Sequence, residues 1–488
     1  MARDTGTVPA GSTEQWRDSK RYLWLLGLVV PSLGFVAVGM HAATGWGVWL
    51  WLGPIVVLLI VPVIDLVVGL DRANPPDDAI EALEKDRYYR WVTYTFLPLQ
   101  YAVFVLAFWV IARGELTVVD KVGLAISIGV IGGIGINTAH ELGHKKESHE
   151  RWLSKVALAQ SFYGHFYIEH NRGHHVRVAT PEDPASSRVG ESFYRFWPRT
   201  VFGSLHSAWE LERKRYARRG QHPFRPGNDV LNAWLMSAAL WGAMIAWLGV
   251  GILPYLLIQA VVGFSLLEVV NYMEHYGMLR RTVGPPDKRR YERVDPSHSW
   301  NSNNIATNVL LYHLQRHSDH HANPTRRYQA LRDFEESPVL PTGYAGMILL
   351  ALIPPLWRRV MDPRVLRHFD GDIGRANIQP SKRARILGRF AGTRPVSPAA
   401  TETGADAPIE DTRGDATAGG MCPGCGYVYD ESVGDPREGF PAGTPWSAIP
   451  DSWCCPDCGV REKVDFVAPG RTAPSSIATD RPEQGVSA

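Results

Sequence analysis

Six long runs of apolar residues constrain this chain more than any other feature of its sequence. Each run is about long enough to cross the hydrocarbon core of a bilayer, which takes about 20 helical residues. Short turns join the runs in three pairs, so the pattern predicts an all-α polytopic membrane protein with about six transmembrane helices. The runs cover residues 22–40, 48–70, 91–111, 118–136, 231–247 and 252–270.

The apolar runs leave a polar part at the C-terminal end. All six lie before residue 275, and the last hundred residues of the 488-residue chain are polar and rich in Pro and Gly. The net charge of +2 indicates no polyanionic partner, so we expect no nucleic acid to bind. Residues 1–20 are polar and lack an apolar core followed by a small-residue cleavage site, so we expect no cleaved signal peptide.

Lysine and arginine are divided unequally between the two ends of the predicted helices. The turns at 41–47 and 248–251 carry neither residue, and the turn at 112–117 carries only Arg113. Loops rich in Lys and Arg stay in the cytoplasm. Both termini and every histidine motif are therefore predicted at the cytoplasmic face. The segments rich in Lys and Arg, all at this same end of the predicted helices, are 17–21, 85–90, 145–146 and 212–219.

Four histidine motifs adjoin these runs and indicate bound metal. They read HELGHK, IEHNRGHH, NYMEHYG and LQRHSDHHA. Residues four apart share a helix face, so His140 and His144 can aim at one point, as can His170 and His174. His175 lies about 100° further round and can reach a second centre. Imidazole suits Fe, Zn, Cu and Ni, so the ligands do not select the metal. Nine ligands are too many for one centre and enough for two. They are His140, His144, His170, His174, His175, His275, His317, His320 and His321.

The cysteines indicate a further metal site. All five lie between residues 422 and 458, and four form a C-x2-C…C-x2-C frame that suits tetrahedral Zn or a single Fe. These four are Cys422, Cys425, Cys455 and Cys458. The segment GDPREGFPAGTPWSAIPDSW and a high content of aromatic residues resemble rubredoxin over residues 421–466. The resemblance implies one iron that carries one electron; a zinc ribbon is the alternative. We interpret Cys454 as a bystander.

Composition predicts the boundaries of the remaining segments. The membrane domain is predicted at 21–370, a flexible linker rich in Ala, Gly, Thr, Pro and charge at 371–420, and a disordered tail at 467–488. The apolar segment 339–360 contains Pro354 and Pro355, so we expect an interfacial or buried helix and not a seventh span. For Asp65, near the end of the second run, we expect a helix-end hydrogen bond.

The membrane part resembles the integral-membrane di-iron alkane monooxygenases. The resemblance runs from about residue 20 to 370 and includes ATPEDPASSRVGES, SWNSNNIATN and LPTGY besides the histidine motifs. It implies that the nine histidines bind two Fe in a bacterial inner membrane. The implied reaction is hydroxylation of the terminal methyl group of a medium- to long-chain n-alkane with O2. Rubredoxin and an NADH-dependent flavin rubredoxin reductase would supply electrons. Attack on an inert C–H bond needs a redox metal, which zinc is not.

Four carboxylates adjoin the histidines and are expected to orient their second ring nitrogens. They are Glu141, Glu169, Glu274 and Asp319, and the alternative is plain surface charge on helices. His298 and His313 are interpreted as packing or outer histidines. Five others stand alone and are interpreted as structural or solvated: His41, His149, His206, His222 and His368.

Other functions remain open from the sequence. HELGH also matches the H-E-x-x-H helix of zinc proteases, with Glu141 as general base, but this leaves the other histidines and the cysteines without a role. A related histidine-box oxygenase or desaturase acting on an aryl-methyl or fatty acyl group is the closer alternative. A membrane-anchored electron carrier is a third. The substrate cavity is expected between the helices, and Val57, Leu58 and Leu59 can line it or face lipid.

Overall fold

The computed structural model describes residues 16–286, 289–391 and 420–469. Within these residues six helices are long and apolar enough to cross a membrane, which confirms the predicted count. The fourth and sixth extend beyond their apolar runs, because the polar residues that end the run continue the helix. The spans are Leu23–Thr44, Gly47–Val68, Arg87–Arg113, Val118–Gly143, Asp229–Leu248 and Val250–Glu274.

The fourth span lies at the centre of the bundle, and its apolar part is largely buried inside the protein. It packs most closely on the sixth span. A Cβ atom at Gly129 would lie 2.7 Å from the carbonyl oxygen of Gln259, and one at Gly133 would lie 2.9 Å from that of Gly263. Glycines four apart let two helix backbones approach in this way. The close contact holds the two spans, and so their histidine-bearing ends, side by side.

Asp65 joins the second span to the segment around Thr307. Its carboxylate accepts hydrogen bonds from the backbone nitrogen of Thr307 at 2.9 Å and from its hydroxyl group at 2.6 Å. The bond expected at this helix end is therefore made, but to a residue far away in the sequence. It anchors the short helix that precedes the last histidine motif.

Shorter elements cover the ends of the spans that carry the histidines. Thr282–Val283 and Arg290–Tyr291 form a two-stranded antiparallel sheet in which Thr282 pairs with Tyr291. The helices are Asp77–Lys85, Ser148–Leu158, Phe166–Ile168, His175–Arg177, Phe193–Arg218, Ile305–Leu310, His317–Ala322, Tyr344–Ala351 and Pro354–His368, with a π-helix at Glu169–His174. The apolar segment 339–360 therefore forms parts of two shorter helices, the second of which begins at Pro354.

Residues 371–391 differ from the predicted linker. They fold onto the membrane domain and end in the helix Arg383–Phe390. The backbone nitrogen of Val189 donates to the carbonyl oxygen of Asn377 at 2.7 Å, and Ile378 and Ile386 are buried. A few isolated apolar side chains therefore dock a segment whose overall composition is polar. The rest of the predicted linker, residues 392–419, lies outside the described residues, as do most of the predicted tail and residues 1–15.

Residues 420–469 form a small domain that is built mainly from turns. Its core is aromatic and lies beside the cysteines. A backbone bridge between Met421 and Val467 closes the domain by joining its two ends. The buried core residues are Tyr429, Phe440, Trp446, Ile449 and Trp453.

Candidate metal centres

The structure brings all nine predicted histidines together beneath the membrane spans, in two clusters. The first contains His140, His144, His170, His175 and His320, and the second contains His174, His275, His317 and His321. Within each cluster one nitrogen of every ring lies within 4.8 Å of the others, and all nine residues are buried. The arrangement can therefore hold two metal ions.

The π-helix Glu169–His174 decides which histidine joins which cluster. The α-helical spacing predicts that His170 and His174 share a centre and that His175 reaches another. The structure contradicts this prediction. A π-helix places residues five apart on one face. The Nε2 atoms of His170 and His175 accordingly lie 3.0 Å apart, and His174 turns to the second cluster.

The ring nitrogens of the first cluster face one another at short range. Nε2 of His320 lies 2.8 Å from Nε2 of His140 and 3.2 Å from Nε2 of His175. Two nitrogens that bind one ion at about 2.1 Å and at right angles are about 3.0 Å apart, so the spacing fits a shared ion. Burial lowers the pKa of His144, His170 and His175 well below the ordinary value. The rings are therefore neutral, the form that binds metal.

The second cluster has the same character. Nε2 of His317 lies 2.9 Å from Nε2 of His321 and 3.3 Å from Nε2 of His275. The Nε2 atom of His174 is buried without a hydrogen-bond partner among the described residues. An unprotonated imidazole nitrogen is an acceptor and needs a partner. Where several such nitrogens face one another, a bound cation is a partner for all of them. Both donor sets fit iron, which binds imidazole readily.

Three of the four predicted orienting carboxylates contact cations instead of histidines. Glu141 lies 2.9 Å from Nζ of Lys145, and Glu169 lies 2.7 Å from the guanidinium group of Arg177. Asp319 accepts two hydrogen bonds, at 2.9 and 2.8 Å, from Arg326. The prediction is wrong for these three because neighbours in sequence on a helix point in different directions. Their ion pairs instead hold the segments that carry the histidines.

Glu274 does contact a histidine, but it contacts the ring nitrogen that would bind the metal and not the second ring nitrogen. Its Oε2 atom lies 3.2 Å from Nε2 of His317, the nitrogen that points into the second cluster. Its Oε1 atom accepts a hydrogen bond from the hydroxyl group of Tyr344 at 2.7 Å. Glu274 and Tyr344 both line an apolar cavity that His317 also lines. Glu274 is therefore placed at the edge of the site itself.

Asp183 makes the orienting contact that the sequence did not reveal. Its Oδ2 atom lies 2.9 Å from Nδ1 of His174 and also accepts a hydrogen bond from the hydroxyl group of Ser186 at 2.6 Å. Burial alone would raise the pKa of Asp183, but the contacts with His174 and Ser186 outweigh it and lower the pKa. The residue lies within the motif ATPEDPASSR, in a proline-bounded loop that helical periodicity cannot place.

His298 and His313 lie outside both clusters. Nδ1 of His313 lies 2.9 Å from the carbonyl oxygen of Tyr328, and Nε2 of His298 lies 3.3 Å from the carboxylate of Glu292. The histidines interpreted as structural or solvated also lie outside the clusters.

A cavity of about 450 Å³ leads from the membrane spans to the histidines. Its surface is almost entirely apolar, and His140, His170 and His317 are among the residues that line it. Val57 lines it, whereas Leu59 is exposed on the outside of the bundle. An apolar space that reaches histidines of both clusters suits an apolar substrate.

The four cysteines of the two knuckles converge as predicted. The Sγ atoms of Cys422 and Cys458 lie 3.7 Å apart, and those of Cys425 and Cys455 lie 3.5 Å apart. Cys454 lies outside this group. The arrangement is a four-thiolate metal site.

Both knuckles of the small domain touch the segments that carry the first histidine cluster. Nζ of Lys146, two residues after His144, donates to the carbonyl oxygen of Cys425 at 2.6 Å. Gly459 lies so close to Asn171, the neighbour of His170, that a Cβ atom would overlap its carbonyl oxygen. The cysteine site therefore faces the five-histidine cluster.

Ion pairs surround this contact. Glu438 pairs with Arg218 at 2.7 Å and with Arg172 at 3.0 Å. Arg437 pairs with Asp229, and Arg293 lies 2.7 Å from Asp465. The interface joins acidic groups of the small domain mainly to arginines of the membrane domain. Complementary charge of this kind orients one partner on the other.

Comparisons with known proteins agree with this architecture. A fatty acid desaturase family model matches residues 121–351, and a rubredoxin model matches residues 420–466. The alkane 1-monooxygenase of Acinetobacter baylyi is 49% identical over 384 residues, which cover 78% of this chain and 93% of the relative. That of Pseudomonas putida is 44% identical over 379 residues, 78% of this chain and 94% of the relative.

A more distant relative is the xylene/toluene monooxygenase hydroxylase component of Pseudomonas putida. It is 26% identical over 334 residues, which cover 66% of this chain and 84% of the relative. These relatives are oxygenases and lend no support to the zinc-protease interpretation of HELGH. The rubredoxin match likewise favours iron over a zinc ribbon at the cysteines. The chain is an iron-binding, multi-pass membrane oxidoreductase that belongs to the alkane 1-monooxygenase family and carries a rubredoxin domain.

Proposed function

We propose that this protein hydroxylates the terminal methyl group of medium- to long-chain n-alkanes, with electrons delivered one at a time by its own rubredoxin domain. The reaction consumes one alkane, one O2, two electrons and two protons, and yields one 1-alkanol and one water. The observation that carries the proposal is the aliphatic cavity that ends at His140, His170 and His317. The identity to alkane 1-monooxygenases supports the same substrate class.

The nine histidines are proposed as the ligands of two irons, divided five and four as the clusters are. Iron bound there supplies the redox chemistry that O2 activation at an inert C–H bond requires. Asp183 contacts Nδ1 of His174, the ring nitrogen that faces away from the cluster. The Nε2 atom of His174 therefore stays free to bind the metal. Burial excludes water, which protects the site from unproductive chemistry.

The cavity orients the substrate. An alkane offers no polar handle, so only shape and apolar contact can select its position. Side chains of the first, second, fourth and sixth spans line the walls, and the histidines close one end. A chain lying along this cavity presents its terminal carbon to the clusters, which favours attack at the methyl group.

The docked rubredoxin domain supports direct electron delivery. The contacts Lys146–Cys425 and Gly459–Asn171 bring both knuckles against segments next to ligands of the five-histidine cluster. We therefore propose that electrons enter at this cluster. Because the rubredoxin domain and the membrane domain belong to one chain, the local donor concentration stays high.

Orientation and the external donor complete the proposal. The excess of Lys and Arg at one end of the spans supports a cytoplasmic location for the clusters and the rubredoxin domain, in a bacterial inner membrane. An NADH-dependent flavin rubredoxin reductase is the proposed source of electrons.

Product analysis tests the function. Membranes that contain the full chain are supplied with alkanes from octane to hexadecane, NADH and a rubredoxin reductase. The expected products are 1-alkanols, and metal analysis should give two irons for the histidine clusters and one for the cysteine site. Oxidation of xylenes with no alkanol formed would favour the aryl-methyl alternative that the distant relative suggests.

A pair of cysteine variants tests the tether. Cys425→Ser should abolish coupled turnover while the histidine clusters keep their iron. Cys454→Ser, which changes the neighbouring thiol outside the cluster, should leave turnover unchanged. Undiminished activity of the Cys425 variant without any other rubredoxin would exclude the fused domain as donor.

A further inference from the structure

Four cations gather at one corner of the membrane domain, and we call them the basic cluster: Arg195, Arg358, Lys382 and Arg385. They come from three segments, the helices Phe193–Arg218 and Pro354–His368 and the chain around Arg383–Phe390. Burial lowers the pKa of Lys382, and the charges of Arg358, Arg195 and Arg385 lower it further. Arg195, Arg358 and Arg385 therefore each lie within electrostatic reach of Lys382. Hydrogen bonds of 2.9 Å each, from the backbone nitrogen of Gly190 to the hydroxyl oxygen of Tyr276 and from Tyr276 to Asp362, also join the loop that contacts Lys382 to the helix that carries Arg358.

The positive charge of the basic cluster exceeds the negative charge of the two carboxylates that act on its members, Glu191 on Lys382 and Asp362 on Arg358. None of its four members forms an ion pair in the described part of the chain, and Lys382 instead donates to the carbonyl oxygen of Gly190 at 2.6 Å.

The carboxylates nearby are already engaged. Glu191 accepts two hydrogen bonds from Arg199, at 2.9 and 2.8 Å. Asp362 accepts hydrogen bonds from Tyr276 at 2.9 Å and from Arg389 at 3.1 Å. Like charges held together without a partner repel one another, so an anion would stabilise this corner.

An exposed apolar surface borders the basic cluster. Tyr194 is 60% exposed and Ile353 is 52% exposed, and the side chains of Leu352 and Leu356 are exposed beside them. The hydroxyl group of Tyr194 donates to the carbonyl oxygen of Leu352 at 2.9 Å, which joins the two parts of the surface. At a membrane surface, apolar side chains contact the acyl chains and cationic side chains contact the headgroups next to them. An exposed apolar surface beside a group of cations matches this arrangement.

We propose that the basic cluster binds the phosphate of an anionic phospholipid whose acyl chains lie on the adjoining apolar surface. Guanidinium and ammonium groups are the usual partners of phosphate in proteins. A free phosphate would leave the apolar surface uncovered, whereas a phospholipid satisfies both features at once. The proposal does not depend on the function proposed above.

The location links this lipid site to the second histidine cluster. Gly190, the acceptor for Lys382, ends the loop that carries Asp183, and Asp183 holds His174. A ligand that binds only the folded protein stabilises it. An anionic lipid should therefore raise the temperature at which the full-length protein unfolds.

Lipid retention by the full-length iron-loaded protein tests the proposal. The protein is purified in neutral detergent and titrated with phosphatidylglycerol, phosphatidylcholine or inorganic phosphate, and binding is read by native mass spectrometry and thermal unfolding. We expect phosphatidylglycerol to bind and to stabilise, and the other two to do neither. Each cation contributes about 1 kcal/mol to binding of an anionic lipid. The double variant Arg358→Gln with Lys382→Gln should therefore bind phosphatidylglycerol about 30-fold more weakly than the parent.

Matched variants separate a site from general surface charge. Arg367→Gln with Lys214→Gln removes the same charge from exposed positions outside the cluster and should bind like the parent. Arg358→Lys with Lys382→Arg keeps the charge and should also bind. Three results would each overturn the proposal. The parent and the neutral cluster variant could retain the lipid equally, the matched control could lose the lipid as the neutral cluster variant does, or inorganic phosphate could displace the lipid.

Discussion

Nδ1 of His174 lies 2.9 Å from Oδ2 of Asp183, and both side chains are buried. The contact fixes the ring so that Nε2 points toward His275, His317 and His321. A carboxylate behind a ligating histidine selects the tautomer and raises the basicity of the nitrogen that binds metal. Asp183 is the carboxylate in this protein that we expect to act in this way.

Asp183→Asn should weaken the four-histidine centre selectively. The amide keeps the size of the side chain but loses the charge that holds the ring, so metal affinity or activity should fall about 10- to 100-fold. Iron content and alkanol formation measure this. The control is Glu182→Gln, which changes the exposed neighbour that contacts Tyr291. Full iron content and activity in the Asp183 variant would remove the residue from the site.

The two knuckles of the rubredoxin domain allow a matched test of its docking. Gly426 and Gly459 follow the last cysteine of each knuckle and have similar positive φ angles of 74° and 68°. The Gly426 position is open, whereas a Cβ atom at Gly459 would overlap the carbonyl oxygen of Asn171. Alanine therefore brings the same backbone strain, about 1 to 2 kcal/mol, to both positions but blocks docking at only one.

We expect Gly459→Ala to slow electron transfer to the histidine clusters, and Gly426→Ala to leave it close to the parent rate. Stopped-flow oxidation of the reduced cysteine site measures the rate, and its absorbance shows that the iron is retained. Equal rates in the two variants would mean that the Gly459 knuckle does not face the clusters during transfer.

The sequence predicted the six spans, and it indicated the nine histidines and four cysteines that the structure brings together, because apolar length and ligand spacing are local properties. The division of His170, His174 and His175 between centres was not predictable in this way. It depends on a π-helix, for which the residues from Glu169 to His174 carry no recognisable signal.

Contacts that do not follow from adjacency in the sequence account for the other differences. Asp183 meets His174 through a loop, and Ile378 and Ile386 dock a segment of polar composition. Glu141 and Asp319 lie next to histidines in the sequence, yet they pair with Lys145 and Arg326. Adjacency in sequence therefore indicated the right region of the chain but the wrong partner.

The charged interface predicts how electron transfer depends on salt and on Arg218. Arg218→Gln removes the partly exposed ion pair with Glu438, which is worth about 1 kcal/mol. The transfer rate should therefore fall about fivefold. Arg213→Gln is the control, because Arg213 pairs with Glu210 on an exposed face of the same helix. Added salt should slow the parent and reduce the difference between the parent and the Arg218 variant. A salt-independent rate would contradict docking through ion pairs.

The same interface predicts little dependence on pH near neutrality. Burial alone would raise the pKa of Glu438, but Arg172 and Arg218 outweigh it and hold the pKa below its ordinary value of 4.5. A carboxylate with a lowered pKa contributes fully above its ordinary pKa and is lost only as the pH falls through the lowered value. At constant salt the transfer rate should therefore be flat between about pH 6 and pH 8. A fall across this range would require a different titrating group in the docking step.

The deep end of the cavity predicts which alkanes the enzyme accepts. The first span contributes Leu23, Leu26, Val30 and Leu33 among its wall residues, and of these Leu33 is furthest along the span from the histidine end. Leu33→Phe should shorten the cavity and shift products toward shorter alkanols. Each methylene that is excluded loses about 0.8 kcal/mol of burial, so kcat/KM should fall about fourfold per excluded carbon. Val36→Phe, on the exposed side of the same helix, is the control. An unchanged product profile in the Leu33 variant would show that the substrate does not extend along the first span.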